Sequence, residues 1–167
     1  MYDRLTAGAR LGLSAYLRIA DFGGRSTRTE VWCFFVVLLL LNNAATIVAR
    51  LAGIEIGFLH PISVSMPNAI ASLALEHLPL LPVFALTARR LHDVGLPGWP
   101  GPLNAAIAIV LGARIMLHWR ANDLGPIPIA WEVVHVVSLL LFYLGLFWKP
   151  RRGPNRYGAD PRGIETT

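Results

Sequence analysis

The chain is 167 residues long, 54% of them hydrophobic and only 15% charged, with a formal net charge of +5. A mean hydropathy of +0.52 is too apolar for a solvated surface, which argues against an ordinary water-soluble domain. A basic protein that reads nucleic acid interleaves its Lys and Arg with groove-reading or stacking side chains on one surface. Here the basic residues flank apolar stretches, so no nucleic-acid partner is expected. Anionic phospholipid headgroups suit them better, at about 1 kcal/mol per basic residue near the membrane surface.

In chain order, residues 1–20 read as an amphipathic interfacial helix. Tyr2, Leu5, Ala9, Leu13, Tyr16, Leu17 and Ala20 fall on one helical face with Arg4 and Arg18 opposite, and Leu11 interrupts the pattern. Residues 21–161 read as one membrane domain with spans at about 31–50, 68–88, 101–119 and 129–148. At 1.5 Å rise per residue, about 20 apolar residues suffice to cross. The second span carries Glu76, His77, Pro79 and Pro82 and is expected to be kinked. Pro102 falls in the first turn of the third, where its missing N–H costs little. Segments 52–67 and 121–128 read as outer loops, the chain after Pro150 as irregular, and 162–167 as a flexible tail. The fold class is thus all-α, an integral membrane four-helix bundle with an N-terminal amphipathic interfacial helix.

Orientation follows from the basic residues. Five precede Val31, two are Arg89 and Arg90, and five follow from Lys149, leaving Arg50, Arg114 and Arg120 elsewhere. Basic side chains stay on the cytoplasmic side because carrying them across is costly. Both termini are therefore expected in the cytoplasm, with the protein multi-pass in an inner membrane. The first apolar span is too long for a signal-peptide core, so no cleavable leader is expected. Cys33 is the sole cysteine, which leaves no intramolecular disulfide.

Three polar motifs lie on the assigned inner face. The first is Phe22-Gly23-Gly24-Arg25-Ser26-Thr27-Arg28-Thr29-Glu30-Val31-Trp32. The second is Leu81-Pro82 and Ala85, leading into Arg89-Arg90-Leu91-His92-Asp93-Val94-Gly95 and Gly98-Trp99. The third is Gly153-Pro154-Asn155-Arg156-Tyr157-Gly158-Ala159-Asp160-Pro161. In this order, and around these spans, they resemble the domain of unknown function 805 family of small bacterial inner-membrane proteins, from about Asp21 to Pro161. Val31 stands where that family usually has an aromatic residue, and Pro100 where it has a second Trp. The resemblance implies a multi-span inner-membrane protein and supplies no activity.

The inner-face residues singled out are Arg25, Arg28, Glu30, Arg89, Arg90, His92, Asp93, Asn155, Tyr157 and Asp160. Mixed charges at a membrane surface are less costly when paired, so a salt-bridge network stapling the three motifs is expected, with Glu30 paired to Arg89 or Arg90. An anion or headgroup pocket is the alternative, because guanidinium groups grip phosphate bidentately. A surface for a protein partner or a second copy of the chain is another. Trp32, Trp99 and Trp148 fall at inner span ends as interface anchors. His92-Asp93 resembles a base with its orienting carboxylate, yet neighbours on a helix do not face each other. No catalytic residue and no cofactor are assigned.

A second polar set lies towards the outer half: Glu76, His77, Arg114, His118, Glu132 and His135. Arg114 is expected to pair with Glu132 or Glu76. Glu132, His135, His118 and Glu76 could instead hold a metal, since Glu-x-x-His on bundle helices ligates metals, or form a transport path. The expected role is a non-enzymatic structural or interaction protein of the membrane. A small transporter or channel is the alternative, and a membrane enzyme the third reading.

Overall fold

The computed structural model describes residues 2–52, 73–75, 77–121 and 128–163, with the side chains of Tyr2 and 116–121 excepted. Apart from turns and one isolated bridge, their regular structure is helical: α1 (Tyr2–Leu17), α2 (Arg28–Leu51), a 3-10 turn (Leu78–Leu80), α3 (Val83–Val94), α4 (Pro100–Ala121) and α5 (Ile129–Phe147).

Helix α2 starts where Thr27 accepts a hydrogen bond from the Glu30 amide, as an N-cap residue should. It runs 24 residues at a mean hydropathy of 2.2, and α5 runs 19 residues at 1.9, so both are long and apolar enough to cross a bilayer. A core helix of a soluble protein with that composition would be buried. Here only 17% of the α2 window and 11% of the α5 window are buried inside the protein. Val36, Leu39, Leu40 and Val48 of α2 and Val133, Leu140 and Leu144 of α5 lie exposed. Apolar surface on this scale needs an apolar surrounding. Helix α4 adds an apolar stretch over Pro100–Ile115.

The buried stripe on α2 is Val31, Phe34 and Leu38, at helical spacing. It meets Ala15 of α1, Val83 and Leu86 of α3, Ala105 of α4 and Leu146 of α5, so every helix contributes to one core near the charged end of the molecule. Helices α2 and α5 run antiparallel: Trp32 packs on Phe147 with centroids 4.8 Å apart, and Phe35 on Phe142 at 6.5 Å. Helices α4 and α5 are joined by a polar clamp. The Ser138 hydroxyl donates to Asn104 Oδ1 at 2.8 Å, and Asn104 Nδ2 donates to the Ser138 carbonyl at 2.9 Å. Such interhelical bonds average about 0.6 kcal/mol within a membrane.

One expectation needs correction. The stretch 68–88 is not one kinked helix within its described part: the 3-10 turn at Leu78–Leu80 interrupts it and Pro82 caps the start of α3. Pro79 and Pro82 lack the amides an unbroken helix would need. Helix α3 also continues through Arg89, Arg90 and Asp93 to Val94, where Gly95 at φ +92° closes it. Only glycine adopts that left-handed conformation cheaply, and Leu96 N–H returns to the Leu91 carbonyl at 2.9 Å.

Helix α1 ends at Leu17 and docks on α2 by a face other than its leucine face. Leu5, Ala9, Leu13 and Leu17 are exposed, whereas Gly8, Gly12 and Ala15 pack on α2. The small residues permit backbone-to-backbone approach: a Cβ at Gly12 would overlap the Cys33 carbonyl and the Val37 side chain. The half-buried Leu11 borders this docking face, which is why it interrupted the leucine pattern. Tyr16 completes the seam, donating to the Pro79 carbonyl at 3.0 Å and packing on Phe34. We expect Gly12→Leu to separate α1 from α2 and lower stability in detergent by about 1–3 kcal/mol, the usual range for overpacking. Leu13→Ala, on the exposed face, should leave the thermal midpoint nearly unchanged.

Candidate functional site

The three polar motifs converge at the end of the molecule where α2 begins, α3 ends and α5 ends. Their centre is the Asp93 carboxylate on the last turn of α3, fully buried. Arg90, one turn earlier on the same face, donates Nη1–H to Asp93 Oδ2. Arg25, in the loop before α2, donates Nε–H and Nη2–H to Asp93 Oδ1 at 3.0 and 2.8 Å. Arg162, in the C-terminal segment, donates Nη2–H to the same oxygen at 3.2 Å. One carboxylate therefore ties together three stretches of chain.

The remaining donors read backbone. Arg25 Nη1 reaches the carbonyls of Gly153 (2.6 Å) and Gly158 (3.4 Å), and Nη2 that of Arg151 (2.6 Å). All five of its N–H groups are thereby accounted for. Arg90 Nε donates to the Leu146 carbonyl at 2.7 Å, and Nη2 to that of Trp148. These acceptors close the C-terminus of α5, where helix carbonyls lack partners and positive charge is favoured. Arg89, adjacent to Arg90 on the helix, points elsewhere. Its Nη1 donates to the carbonyls of Arg18 and Asp21 just beyond α1, and its Nη2 lies 3.3 Å from Glu30 Oε1. Glu30 also accepts from the Ser26 hydroxyl at 2.7 Å, and Ser26 N–H donates to the Arg89 carbonyl at 3.1 Å. Two neighbouring arginines thus fasten α1 and α2 on one side of α3 and α5 on the other.

The C-terminal segment is shaped by short local bonds. Asn155 and Gly158 exchange backbone hydrogen bonds at 3.0 and 2.9 Å, with Gly158 at φ +130°. Asn155 Nδ2 donates to the His92 carbonyl at 2.9 Å. Tyr157 stacks flat on the His92 ring, centroids 3.8 Å apart, with Arg156 over the Tyr157 ring at 4.7 Å. His92 Nδ1–H donates to the Gly24 carbonyl at 3.0 Å, so the imidazole faces Tyr157 and Gly24 while Asp93 faces the arginines. Asp160 receives the Gly153 amide at 2.9 Å and Arg162 Nε–H at 2.7 Å. The Arg162 hydrogen bond, more than any other contact, holds the Asp160 carboxyl well below the usual carboxylate range, aided by the Arg162 and Gly153 amides.

Of the inner-face residues read from the sequence, nine meet in this cluster. Arg28 is the outlier: it is exposed and only its Nε touches the group, donating to the Trp148 carbonyl at 3.3 Å. Arg162 was placed in a flexible tail and instead grips Asp93 and Asp160. Its signal was the Asp160-x-Arg162 spacing, which lets one carboxylate hold the amide and the guanidinium of the residue two places on. Ser26 was passed over within its motif. So was the Asn104–Ser138 clamp, whose only sequence signal is an uncharged polar residue in each of two apolar runs.

The outer-half set is partly outside the described residues, which omit Glu76 and the His118 side chain. Arg114 lies with its guanidinium carbon 6.0 Å from the Trp131 ring centroid, a cation–π arrangement. Glu132 is exposed. His77 and His135 line a common cavity of about 220 Å³. Among the described residues, no three His, Cys, Asp or Glu side chains converge as a metal site would require.

Residues 19–159 match the family model described as "Protein of unknown function (DUF805)". The chain is 27% identical over 150 residues to the inner membrane protein YhaI of Escherichia coli K12, covering 90% of this chain and 93% of that one; the O157:H7 protein of the same name matches equally. No solved structure matches significantly. The chain belongs to the DUF805 family.

The lowered Asp160 pKa has a sign. A carboxyl whose folded value lies below its unfolded one contributes stability that is complete above the unfolded value and is lost as pH falls through the folded one. The thermal-midpoint difference between the natural protein and Asp160→Asn should therefore stay constant at neutral pH and shrink only as pH drops below the ordinary aspartate value of 3.8. A difference that vanishes between pH 7 and 5 would contradict it.

Proposed function

We propose that this DUF805 protein crosses the inner membrane four times with both ends in the cytoplasm. In this reading it is a non-enzymatic structural or interaction protein whose cytoplasmic face holds anionic lipid headgroups. One observation carries it: the two classes of arginine are separated. Arg25, Arg89 and Arg90 are buried and engaged by the chain's own carboxylates and carbonyls. The C-terminal segment is gripped largely through its backbone, which leaves the side chains of Lys149, Arg151, Arg152 and Arg156 exposed, together with Arg28. The same end carries the exposed indoles of Trp32, Trp99 and Trp148. Exposed cations beside interfacial tryptophans suit a layer of anionic headgroups. A protein partner docking on the same basic face is the competing occupant.

A small transporter or channel is the second reading, and the cavity shared by His77 and His135 favours it. Among the described residues no charged side chain lines that cavity, so it offers little to a hydrated ion. Enzymatic use of His92 finds no support in its surroundings, because Asp93 turns away from it.

Topology is tested by reporter fusions. Fusions after Gly53 and Asn122 should report the outside, and those after Gly95 and Thr167 the cytoplasm; an outside signal at Gly95 would overturn the four-crossing arrangement.

Lipid binding is tested on purified protein in detergent. Phosphatidylglycerol should raise the thermal midpoint more than phosphatidylcholine, and added salt should erode the difference. The double variant Arg151→Gln/Arg152→Gln should lose that increment without changing the lipid-free midpoint. Equal stabilisation by both lipids would remove the headgroup from the proposal.

A further inference from the structure

The cavity between the 3-10 turn, α2, α4 and α5 has not been accounted for by the charged cluster or by the packing of the core. It measures about 220 Å³. Helix α4 opens it by presenting Ala105, Ala108 and Gly112, spaced to fall near one helical face. Gly112 is part of the opening: a Cβ there would come within 3.1 Å of the His135 ring. Phe35, Phe142 and Tyr143 supply aromatic walls, and the polar side groups are few, chiefly the imidazoles of His77 and His135.

One of the two imidazoles has an unmet requirement. His77 Nδ1 lies 2.9 Å from the Leu73 carbonyl. A carbonyl only accepts, so Nδ1 donates that hydrogen bond. His135 Nδ1 is buried with no hydrogen-bond partner among the described residues. A buried polar nitrogen left unsatisfied costs about 1–3 kcal/mol, so such atoms call for an occupant.

We propose that this cavity binds a neutral, lipid-soluble hydroxylated ring, of the phenol or quinol class, with its O–H donated to an imidazole and its ring between the aromatic walls. The hydroxyl answers the buried, unpartnered Nδ1 of His135. An aromatic ring suits a cavity whose wall includes Phe35, Phe142 and Tyr143. Neutrality follows from a lining with no charged side chain among the described residues, where an ion would be left without a counter-charge. Lipid solubility follows from position: α4 and α5 are apolar along this stretch, so a ligand arrives through the acyl layer. Only that route rests on the four-crossing topology. If the fusions reject the topology, the route changes and the binding measurement stands by itself.

The test uses the full chain in detergent, with a short-chain benzoquinol kept reduced under anaerobic conditions and its dimethyl ether as the probes. The ether keeps the ring and apolar surface but brings no O–H. Binding is read by isothermal titration calorimetry and by the rise in thermal midpoint. The quinol should bind at least roughly tenfold more tightly than the ether, the difference of one satisfied buried hydrogen bond. Ala108→Leu, which fills the cavity, should abolish binding of both probes. His135→Phe should bring quinol and ether to equal affinity while the protein still folds. Comparison of the two probes on the natural protein decides the matter even where a variant fails to fold. Equal affinity of quinol and ether, or saturable binding of neither, would overturn the proposal and leave the cavity to water or acyl chains.

Discussion

A carboxylate with no access to water needs cations close by, and that requirement at Asp93 organises the molecule. Arg25, Arg90 and Arg162 come to it from the loop before α2, from α3 itself and from the C-terminal segment. Removing one partner from a buried charged group costs about 3–5 kcal/mol, since the others are then left uncompensated. Each guanidinium that approaches Asp93 has spare N–H groups, and these must be satisfied in turn. They find the carbonyls of Leu146, Trp148, Arg151 and Gly153, so the position of α5 and of the segment after it follows from the same site. Arg89 extends the arrangement to the turn after α1 through the Arg18 and Asp21 carbonyls and to α2 through Glu30. The helices are mainly apolar cylinders; the charged end gives them a register.

This division explains what could be read from the sequence. The apolar runs of α2 and α5 were legible because their length and lack of charge leave few alternatives. The inner-face residues were legible because Arg25, Glu30, Arg89, Arg90, Asp93 and Asp160 are costly near a membrane unless they are paired, so their grouping was foreseeable. The partners were less so. Which arginine meets Glu30 depends on the turn of α3, and Arg162 gave only a local spacing. Carbonyl acceptors carry no sequence signal at all, yet they take much of what Arg25 and Arg90 donate.

The misreadings have physical causes as well. The leucine face of α1, read as interfacial, says nothing of how α1 meets α2, which is through glycine and alanine, because close approach of two backbones favours small side chains over large ones. In the second expected span, Pro79 and Pro82 were read as a kink, and they instead mark a 3-10 turn and the start of a new helix. Hydropathy records whether a segment tolerates lipid; proline decides whether it stays one helix.

The lock around Asp93 draws on residues at opposite ends of the sequence, and this orders its assembly in time. Arg25 and Asp93 have left the ribosome well before α5, and Arg162 comes later still. Until the last helix is in place, Asp93 has Arg90 and Arg25 for company, and Arg25 lacks the carbonyls of Arg151, Gly153 and Gly158. A nascent chain is therefore fastened from its C-terminal side, and the closing of that fastener coincides with the point at which α2, α3 and α5 have all adopted their final directions. An inverted α5 would carry Leu146 and Trp148 away from Arg90 and leave the fastener open. The cluster is complete only once the loop before α2, helix α3 and the C-terminal segment have met at Asp93.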